Sequence, residues 1–385
     1  MALSIKPYIE NKERIHLIGI GGVSMNSLGE LLLSKGVPVS GSDRLRTDVT
    51  ARLEALGAKI TYEHKPENVE GAALIVRTAA VHDENPEIVR AHELGIPVME
   101  RAEAWGHIMR DYDNVVCLSG THGKTTSTSM MTMMTMEAQM DPTVMVGSNL
   151  PAIGGTLRIG GKSCFVAESC EYTNSFLRFA PTISVILNVE EDHLDFFKDI
   201  NDIIHSFHEF AELTPMNGLI VANHDDPNAM RAVAHIDRRI RTFGTTSDAD
   251  VYPTEVRDEN GYYRFTVNID GREYAKVALS VPGRHNMLNA LACCAAAEFL
   301  GVPGEAAEKG LNKFTGSSRR FQLVGKMPNG ATVVDDYAHH PSEMKATLAT
   351  AKEMHFDRII CAFQPHTYTR TKALFPEFVD ALKQC

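Results

Sequence analysis

The sequence has little of what would tie it to a membrane, a disulfide framework or nucleic acid. No apolar run approaches the roughly 20 residues that span a bilayer. The N-terminal stretch MALSIKPYIENKERIHLIG has neither the apolar core nor the small-residue cleavage site of a secretory signal, so a cytoplasmic protein without membrane insertion is expected. Seven cysteines show no C-x-x-C spacing and no framework pattern. Cys293 and Cys294 lie in the alanine-rich run NALACCAAAEFL, where small buried thiols are the expected reading. Positive charge is scarce. With 38 Lys and Arg against 49 Asp and Glu, the net charge of -11 excludes a general grip on phosphate backbones, so no nucleic-acid partner is expected. There is no low-complexity segment and no fixed-period repeat.

What is present is ordinary globular material, 44% apolar and 23% charged over 385 residues, enough for two or three domains. Residues 15 to 110 alternate short strands with helices that end in glycine, as in MNSLGELLLSKG, which predicts a parallel sheet with helices packed on it. The charged stretch RDYDN (110–114) reads as a linker. A second unit opens at NVVCLSG and continues through SCFVAES, PTISVILNV, NGLIVAN and RIRTFG, all suited to central strands. YYRFTVNIDGREYAKVALSV reads as a hairpin turning at Asp270-Gly271, and NMLNALACCAAAEFLG as a helix. After TGSSRRFQLVG the pattern resets: ATVVDDYA and DRIICAFQP read as strands, HPSEMKATLATAKEM and TKALFPEFVDALKQC as helices. The expected fold class is α/β in three domains. These are a Rossmann-like domain (1–112), a P-loop-type parallel sheet (113–317) and a Rossmann-like domain (318–385) that looks incomplete.

CLSGTHGKTTSTS, at 117–129, has the parts of a phosphate-binding loop. Gly120 and Gly123 permit a tight backbone whose N–H groups face phosphate oxygens, Lys124 can reach the outer phosphates, and the Thr125 hydroxyl can ligate Mg²⁺. A helix starting near Thr125 adds its positive end. Leu118 stands where the common G-x-x-x-x-G-K-[ST] pattern has glycine. The bland alternative, a glycine turn with a surface lysine, leaves the flanking strand and helix unexplained. An earlier cluster, Gly19, Gly21 and Gly22, also joins a strand to a helix, but Ser24 replaces the last glycine of G-x-G-x-x-G. Asp43 ends the next strand, where a ribose-binding carboxylate would sit. A dinucleotide, another nucleotide diphosphate and a plain tight turn stay open for this cluster.

Glu168, with Ser169 and Glu171 nearby, and Asn188, Asp192, His193 and Asp195 end two further apolar runs. At strand ends beside a phosphate loop they suit Mg²⁺ and substrate. Function is expected for Glu168 and His193, and a solvated strand end for Glu190 and Glu191. Zinc is disfavoured, because no second His or Cys has ligand spacing to His193. In DDYAHHPSE and QPHTYTRT, His339 and His340 are too close in sequence to share a metal easily and read as positioning a strand–helix turn and a ligand. Arg370 can hold a carboxylate or phosphate in a fork. Capping covers Ser342, Thr369 and Thr371, and the helix SMMTMMTMEAQM reads as core packing.

In this order and spacing, GTHGKTT, NVEEDHLD, GRHNMLNALA, RRFQ, DDYAHHP and QPHTYTRT resemble the Mur ligases of bacterial cell-wall synthesis, most closely their alanine-adding branch. The resemblance runs from the first glycine cluster to the last helix. It implies an ATP-driven amide ligation in peptidoglycan precursor synthesis, and so a part in cell-wall biogenesis, cell shape and division. The partners would be UDP-N-acetylmuramate, L-alanine and ATP, with two Mg²⁺ ions, in a monomer or weak homodimer. Gly19, Gly21, Gly22, Val23, Ser24 and Asp43 would hold the UDP diphosphate. Gly120, Thr121, His122, Gly123, Lys124, Thr125 and Thr126 would hold ATP. Asn286 and Asn289 would lie near adenine, with Arg320 and Asp336 closing from the third domain. Thr125 and Glu168 would share one Mg²⁺ and His193 a second, while Lys124, Glu168 and His193 carry catalysis. His339, His366 and Arg370 would receive the amino acid. Thr367 stands where the family is associated with a further arginine.

Later ligases of the family hold the second Mg²⁺ through a carbamylated lysine. No lysine occurs here between Lys198 and Lys276, which favours the alanine-adding branch or its tripeptide-recycling relative. From other classes, an NAD-dependent oxidoreductase leaves GTHGKTT unexplained, and a P-loop switch or motor leaves the outer domains unexplained. Two strand–helix units after residue 318 make only part of a doubly wound sheet, so a shortened form of a longer ligase with little turnover is expected.

Overall fold

Strands form where short β-branched runs are bounded by glycine, and the computed structural model, which describes residues 3–385, assembles them into three sheets. The first contains β1 (Ile15–Ile18), β2 (Val39–Ser42), β3 (Lys59–Thr61), β4 (Leu74–Arg77) and β5 (Val98–Glu100), all parallel, in the order β3-β2-β1-β4-β5. All four residues of β1 are buried because helices cover both faces of the sheet. β1 pairs with β2 on one side and β4 on the other. The crevice at its C-terminal end is therefore the switch point where such sheets take ligands. Gly19–Gly22 lies there.

The central sheet has ten strands: β6 (Asn114–Ser119), β7 (Thr143–Leu150), β8 (Gly155–Arg158), β9 (Cys164–Glu168), β10 (Ile183–Ile186), β11 (Leu219–Asn223), β12 (Ile240–Phe243), β13 (Val251–Glu259), β14 (Tyr262–Ile269) and β15 (Arg272–Ala278). Their order is β15-β14-β13-β12-β11-β10-β6-β9-β7-β8. From β13 through β6 to β7 the pairing is parallel, and antiparallel partners cap both ends. β14 and β15 turn at Asp270-Gly271, both at positive φ, as the hairpin reading expects. β6 lies between β9 and β10, placing the loop after it at a second switch point. The helix Lys124–Glu137 buries Met130, Met131 and Met134, so the methionine run is core.

The first two units share one apolar core. Trp105 of the helix Arg101–Met109 meets Phe165 of β9 edge-on at 5.8 Å, and Phe176 stacks on Phe210 at 4.5 Å. A Cβ at Gly106 would overlap the Arg178 carbonyl oxygen, so glycine alone permits this approach.

The last segment has β16 (Gln322–Lys326) and β17 (Thr332–Asp335), paired antiparallel, and the helix Pro341–Glu353. A small core of Met344, Phe378 and Ala381 holds it together. Two local readings differ here. DRIICAFQP forms no strand, because β16 and β17 pair with each other and offer it no ladder. TKALFPEFVDALKQC is not one helix: Tyr368–Ala373 and Phe375–Leu382 are separate, and Pro376 lacks the N–H that would continue the first. Among the described residues no helix is long and apolar enough to cross a membrane.

Candidate active site

The loop after β6 turns through Gly120 at φ +140 and Gly123 at φ +84, and the latter starts the helix Lys124–Glu137. A Cβ at Gly123 would come 2.7 Å from Asn289 Oδ1, so the loop packs directly on the helix Arg284–Phe299. Asn188 pins the loop from both sides: its Oδ1 accepts from His122 N at 2.7 Å and its Nδ2 donates to His122 O at 3.1 Å. Lys124 Nζ donates to Gly120 O at 2.6 Å and to Glu171 Oε2 at 2.9 Å. Burial alone would lower the Lys124 pKa. The Glu171 carboxylate outweighs it and holds the ammonium above its usual range.

At the end of β9, Glu168 accepts from Thr125 Oγ1 at 3.1 Å and from Gly147 N at 2.7 Å. Arg320 Nη2 reaches the same Thr125 hydroxyl at 3.3 Å. His193, at φ +53, stacks on Tyr172 at 4.4 Å and points Nε2 toward Glu171 Oε1, 3.9 Å away. Burial lowers its pKa, which favours the neutral imidazole a metal would need.

The third segment closes on this group. His122 Nδ1 lies 3.2 Å from Glu343 Oε1 and Nε2 lies 3.4 Å from Glu190 Oε2, ion pairs more than aligned hydrogen bonds. Burial opposes charge on His122, yet the two carboxylates lift its pKa to about 9. Burial likewise opposes the Glu190 carboxylate, but His122 draws it down to about 2. Glu343 also completes a capping box with His340, fixing the start of the helix Pro341–Glu353. Arg370 Nε donates to Asp192 Oδ1 at 2.8 Å. Burial raises the Asp336 pKa although Phe321 N and Ala338 N both donate to it.

Two cavities open on either side. One of about 230 Å³ is lined by His122, Gly123, Thr125, Thr126, Asn286 and Asn289, and also by Arg320 and Asp336 from the third segment. The other, of about 360 Å³, is lined by His193, His339, His366 and Arg370. The candidates for ATP and for one metal thus lie together at Thr125, Glu168 and Arg320, and those for the amino acid line the second cavity with His193. The first glycine loop stands apart on its own sheet, where Gly21 N donates to Asp43 Oδ2 at 2.8 Å and the Gly22-capped helix begins. Ser24 Oγ reaches Met145 Sδ at 3.4 Å, linking that loop to the central sheet.

Sequence reasoning underrated Glu190, which is paired with His122 and accepts from Ser342 Oγ, and it passed over Glu343. Ser342 therefore does more than cap a helix. An acidic pair facing a loop histidine leaves no spacing signal, since its members are far apart in the chain.

Comparison with known proteins agrees with this arrangement. Three family models match in order: the Mur ligase family catalytic domain over residues 14–113, the Mur ligase middle domain over 118–297, and the Mur ligase glutamate ligase domain over 319–385. The chain is 48% identical to a UDP-N-acetylmuramate–L-alanine ligase of Acetivibrio thermocellus, covering 96% of this chain and 79% of the relative. It is 46% identical to one of Clostridium novyi, covering 97% and 81%. Among solved structures, a UDP-N-acetylmuramate–alanine ligase of Thermotoga maritima superposes with a TM-score of 0.83 at 30% identity, over 97% of this chain and 84% of that one. A UDP-N-acetylmuramate:L-alanyl-γ-D-glutamyl-meso-diaminopimelate ligase from a Neisseria species gives 0.74 at 27%, over 80% and 99%. From its first glycine loop to its last helices, this chain belongs to the Mur ligase family.

Proposed function

We infer that this chain is an ATP-dependent ligase that joins L-alanine to UDP-N-acetylmuramate in peptidoglycan precursor synthesis. The observation that carries the reading is the phosphate-type loop whose Lys124 meets Glu171 and whose Thr125 meets Glu168, with Thr125 lining one cavity and Arg370 and His193 lining another, in a chain 46% to 48% identical to ligases of that name. A carboxylate is a poor acyl donor. Its oxygen attacks the γ-phosphorus of ATP, the bond to the bridging oxygen breaks, and ADP leaves. The amine of L-alanine then attacks the acyl carbon, the amide forms, and phosphate departs with the former carboxylate oxygen.

Lys124 neutralises charge on the transferring phosphoryl group, with the loop N–H groups around it. The adenine end belongs in the cavity beside Asn286 and Asn289, and Arg320 and Asp336 bring the third segment against it. His339, His366 and Arg370 receive the amino acid, with Arg370 oriented by Asp192. Gly19, Gly21, Gly22, Val23 and Ser24 take the UDP diphosphate, their backbone held by Asp43.

Mg²⁺ fits the donors present. The Thr125 hydroxyl and Glu168 carboxylate are hard oxygen ligands 3.1 Å apart, and neutral His193 can serve a second ion. When bound, such ions would neutralise phosphate charge. Phosphate release measured with each substrate omitted in turn tests the reading. Release must require UDP-N-acetylmuramate, and L-alanine must support it better than the tripeptide that the Neisseria relative's name implies.

A further inference from the structure

Three side chains from distant parts of the sequence meet between the phosphate-type loop and the third segment. His122 comes from the loop after β6, Glu190 from the loop after β10, and His340 caps the helix Pro341–Glu353. One ring nitrogen or carboxylate oxygen of each lies within 4.8 Å of the other two. His122 Nε2 stands 3.4 Å from Glu190 Oε2, close to the spacing of about 3.3 Å between two ligands on a tetrahedral ion with bonds of about 2 Å. Both ring nitrogens of His122 are buried, and neither has an aligned hydrogen-bond partner, although two carboxylates face them.

The surroundings suit a ligand set. On its other side, His122 Nδ1 faces Glu343 Oε1 at 3.2 Å, as a metal-bound imidazole faces an outer carboxylate. Glu190 Oε2 accepts from Ser342 Oγ, which fixes the carboxylate. Binding costs His340 one of two ring contacts, Nε2 with Glu191 O at 3.0 Å or Nδ1 with Ser342 N at 3.3 Å. His122 and Glu190 line the inner cavity of about 230 Å³, and Glu190 and His340 line an outer one of about 400 Å³. An ion therefore has a way in and room for water as a further ligand. Two imidazoles and one carboxylate are donors for zinc-class ions, whereas Mg²⁺ prefers oxygen all round.

We propose that His122, Glu190 and His340 bind a zinc-class divalent ion, separate from the Mg²⁺ donors Thr125, Glu168 and His193, and that the ion clamps the third segment onto the phosphate-type loop. The site stands on its own geometry and does not depend on which substrates are ligated. Without metal, a proton takes its place: burial opposes charge on His122, but Glu190 and Glu343 lift its pKa to about 9. The ion must displace that proton. Glu190, at about 2, and His340, lowered by burial, hold no competing proton near neutral pH.

The test adds Zn²⁺ or Co²⁺ to the chelator-treated 385-residue chain without nucleotide. Cys361 and Cys385 are replaced by serine throughout, because these two thiols lie together and can take zinc themselves. Calorimetry should find one Zn²⁺ per chain, its affinity rising about tenfold per pH unit between about pH 6 and pH 7.5. Co²⁺ should show the visible bands of a four-coordinate site. Glu190→Gln and His340→Gln should each weaken Zn²⁺ at least about tenfold, and His193→Ala should leave it unchanged. Zn²⁺ should also slow amide hydrogen exchange in the helix Pro341–Glu353, and Glu190→Gln should abolish that effect. Glu190→Gln is isosteric, so it reads the site even if His340→Gln, which loses a helix cap, does not fold. No bound Zn²⁺, unchanged affinity in Glu190→Gln, or loss of Zn²⁺ in His193→Ala overturns the assignment. Failure of alanine ligation would overturn the functional reading and leave this site standing.

Discussion

Lys124 Nζ stands 2.9 Å from Glu171 Oε2, with Glu171 almost wholly shielded from water and Lys124 partly so. A γ-phosphate placed at Lys124 must share it with this carboxylate. Lys124→Ala should lower ligation on the order of 10³-fold or more through lost charge stabilisation. It should also destabilise the fold by about 3–5 kcal/mol, because Glu171 is left buried and unpaired. Adding Glu171→Gln should restore the melting temperature and not the activity. A double variant that regains activity would remove Lys124 from the chemistry.

The union of the first two units depends on Gly106, whose missing side chain lets the Arg178 carbonyl approach. Gly106→Ala should cost about 1–3 kcal/mol by forcing two backbones apart. Urea unfolding measures this. An unchanged midpoint would mean that the shared core around Trp105 and Phe165 can shift freely.

Much of this site was legible because its parts are local. Gly120, Gly123 and Lys124 lie within five residues, and glycine at a strand–helix junction leaves few conformations to choose from. Glu168, which ends β9, was legible for the same reason, and His193 was singled out although it lies in the loop seven residues beyond the end of β10. The partners of these residues were not. Glu190, Glu343 and Glu171 act across long sequence separations, and nothing in a charge's immediate neighbours says which histidine or lysine it will face. β7, β8 and β13 escaped reading because glycine interrupts TVMVGSNL and GTLR, while VYPTEVRDE carries a proline and exposed charges where alternation was sought. DRIICAFQP read as a strand on composition alone, yet strands need a neighbour to pair with.

Protonation of His122 should couple the ATP loop to the third segment. The groups facing its ring are Glu190 and Glu343, with the His340 ring centred 4.8 Å away. A pKa raised from 6.5 to about 9 means that the folded chain holds this proton more tightly than the unfolded one. Its contribution, up to about 3 kcal/mol, is complete below about pH 6.5 and lost as pH passes about 9. His122→Gln should therefore be less stable than the parent at pH 6 and equal to it above pH 9, by thermal melts across that range. A gap that persists above pH 9 would assign His122 a packing role only.

Metal dependence should follow the donors. His193→Ala and Glu168→Gln should each raise the Mg²⁺ needed for half-maximal rate, Glu168→Gln more strongly because a charged ligand next to Thr125 Oγ1 is lost. A Mg²⁺ titration of the rate measures both. An unchanged profile in His193→Ala would leave that ring as a partner for Tyr172 alone.

The most direct measurement follows one oxygen atom. UDP-N-acetylmuramate labelled with ¹⁸O in its carboxylate is incubated with the chain, ATP and L-alanine, and the released phosphate is analysed by mass spectrometry. Acyl-phosphate ligation moves one carboxylate oxygen to phosphorus, so phosphate should carry one ¹⁸O for each amide formed, however slow the turnover. Unlabelled phosphate, or phosphate released without UDP-N-acetylmuramate, would contradict the account.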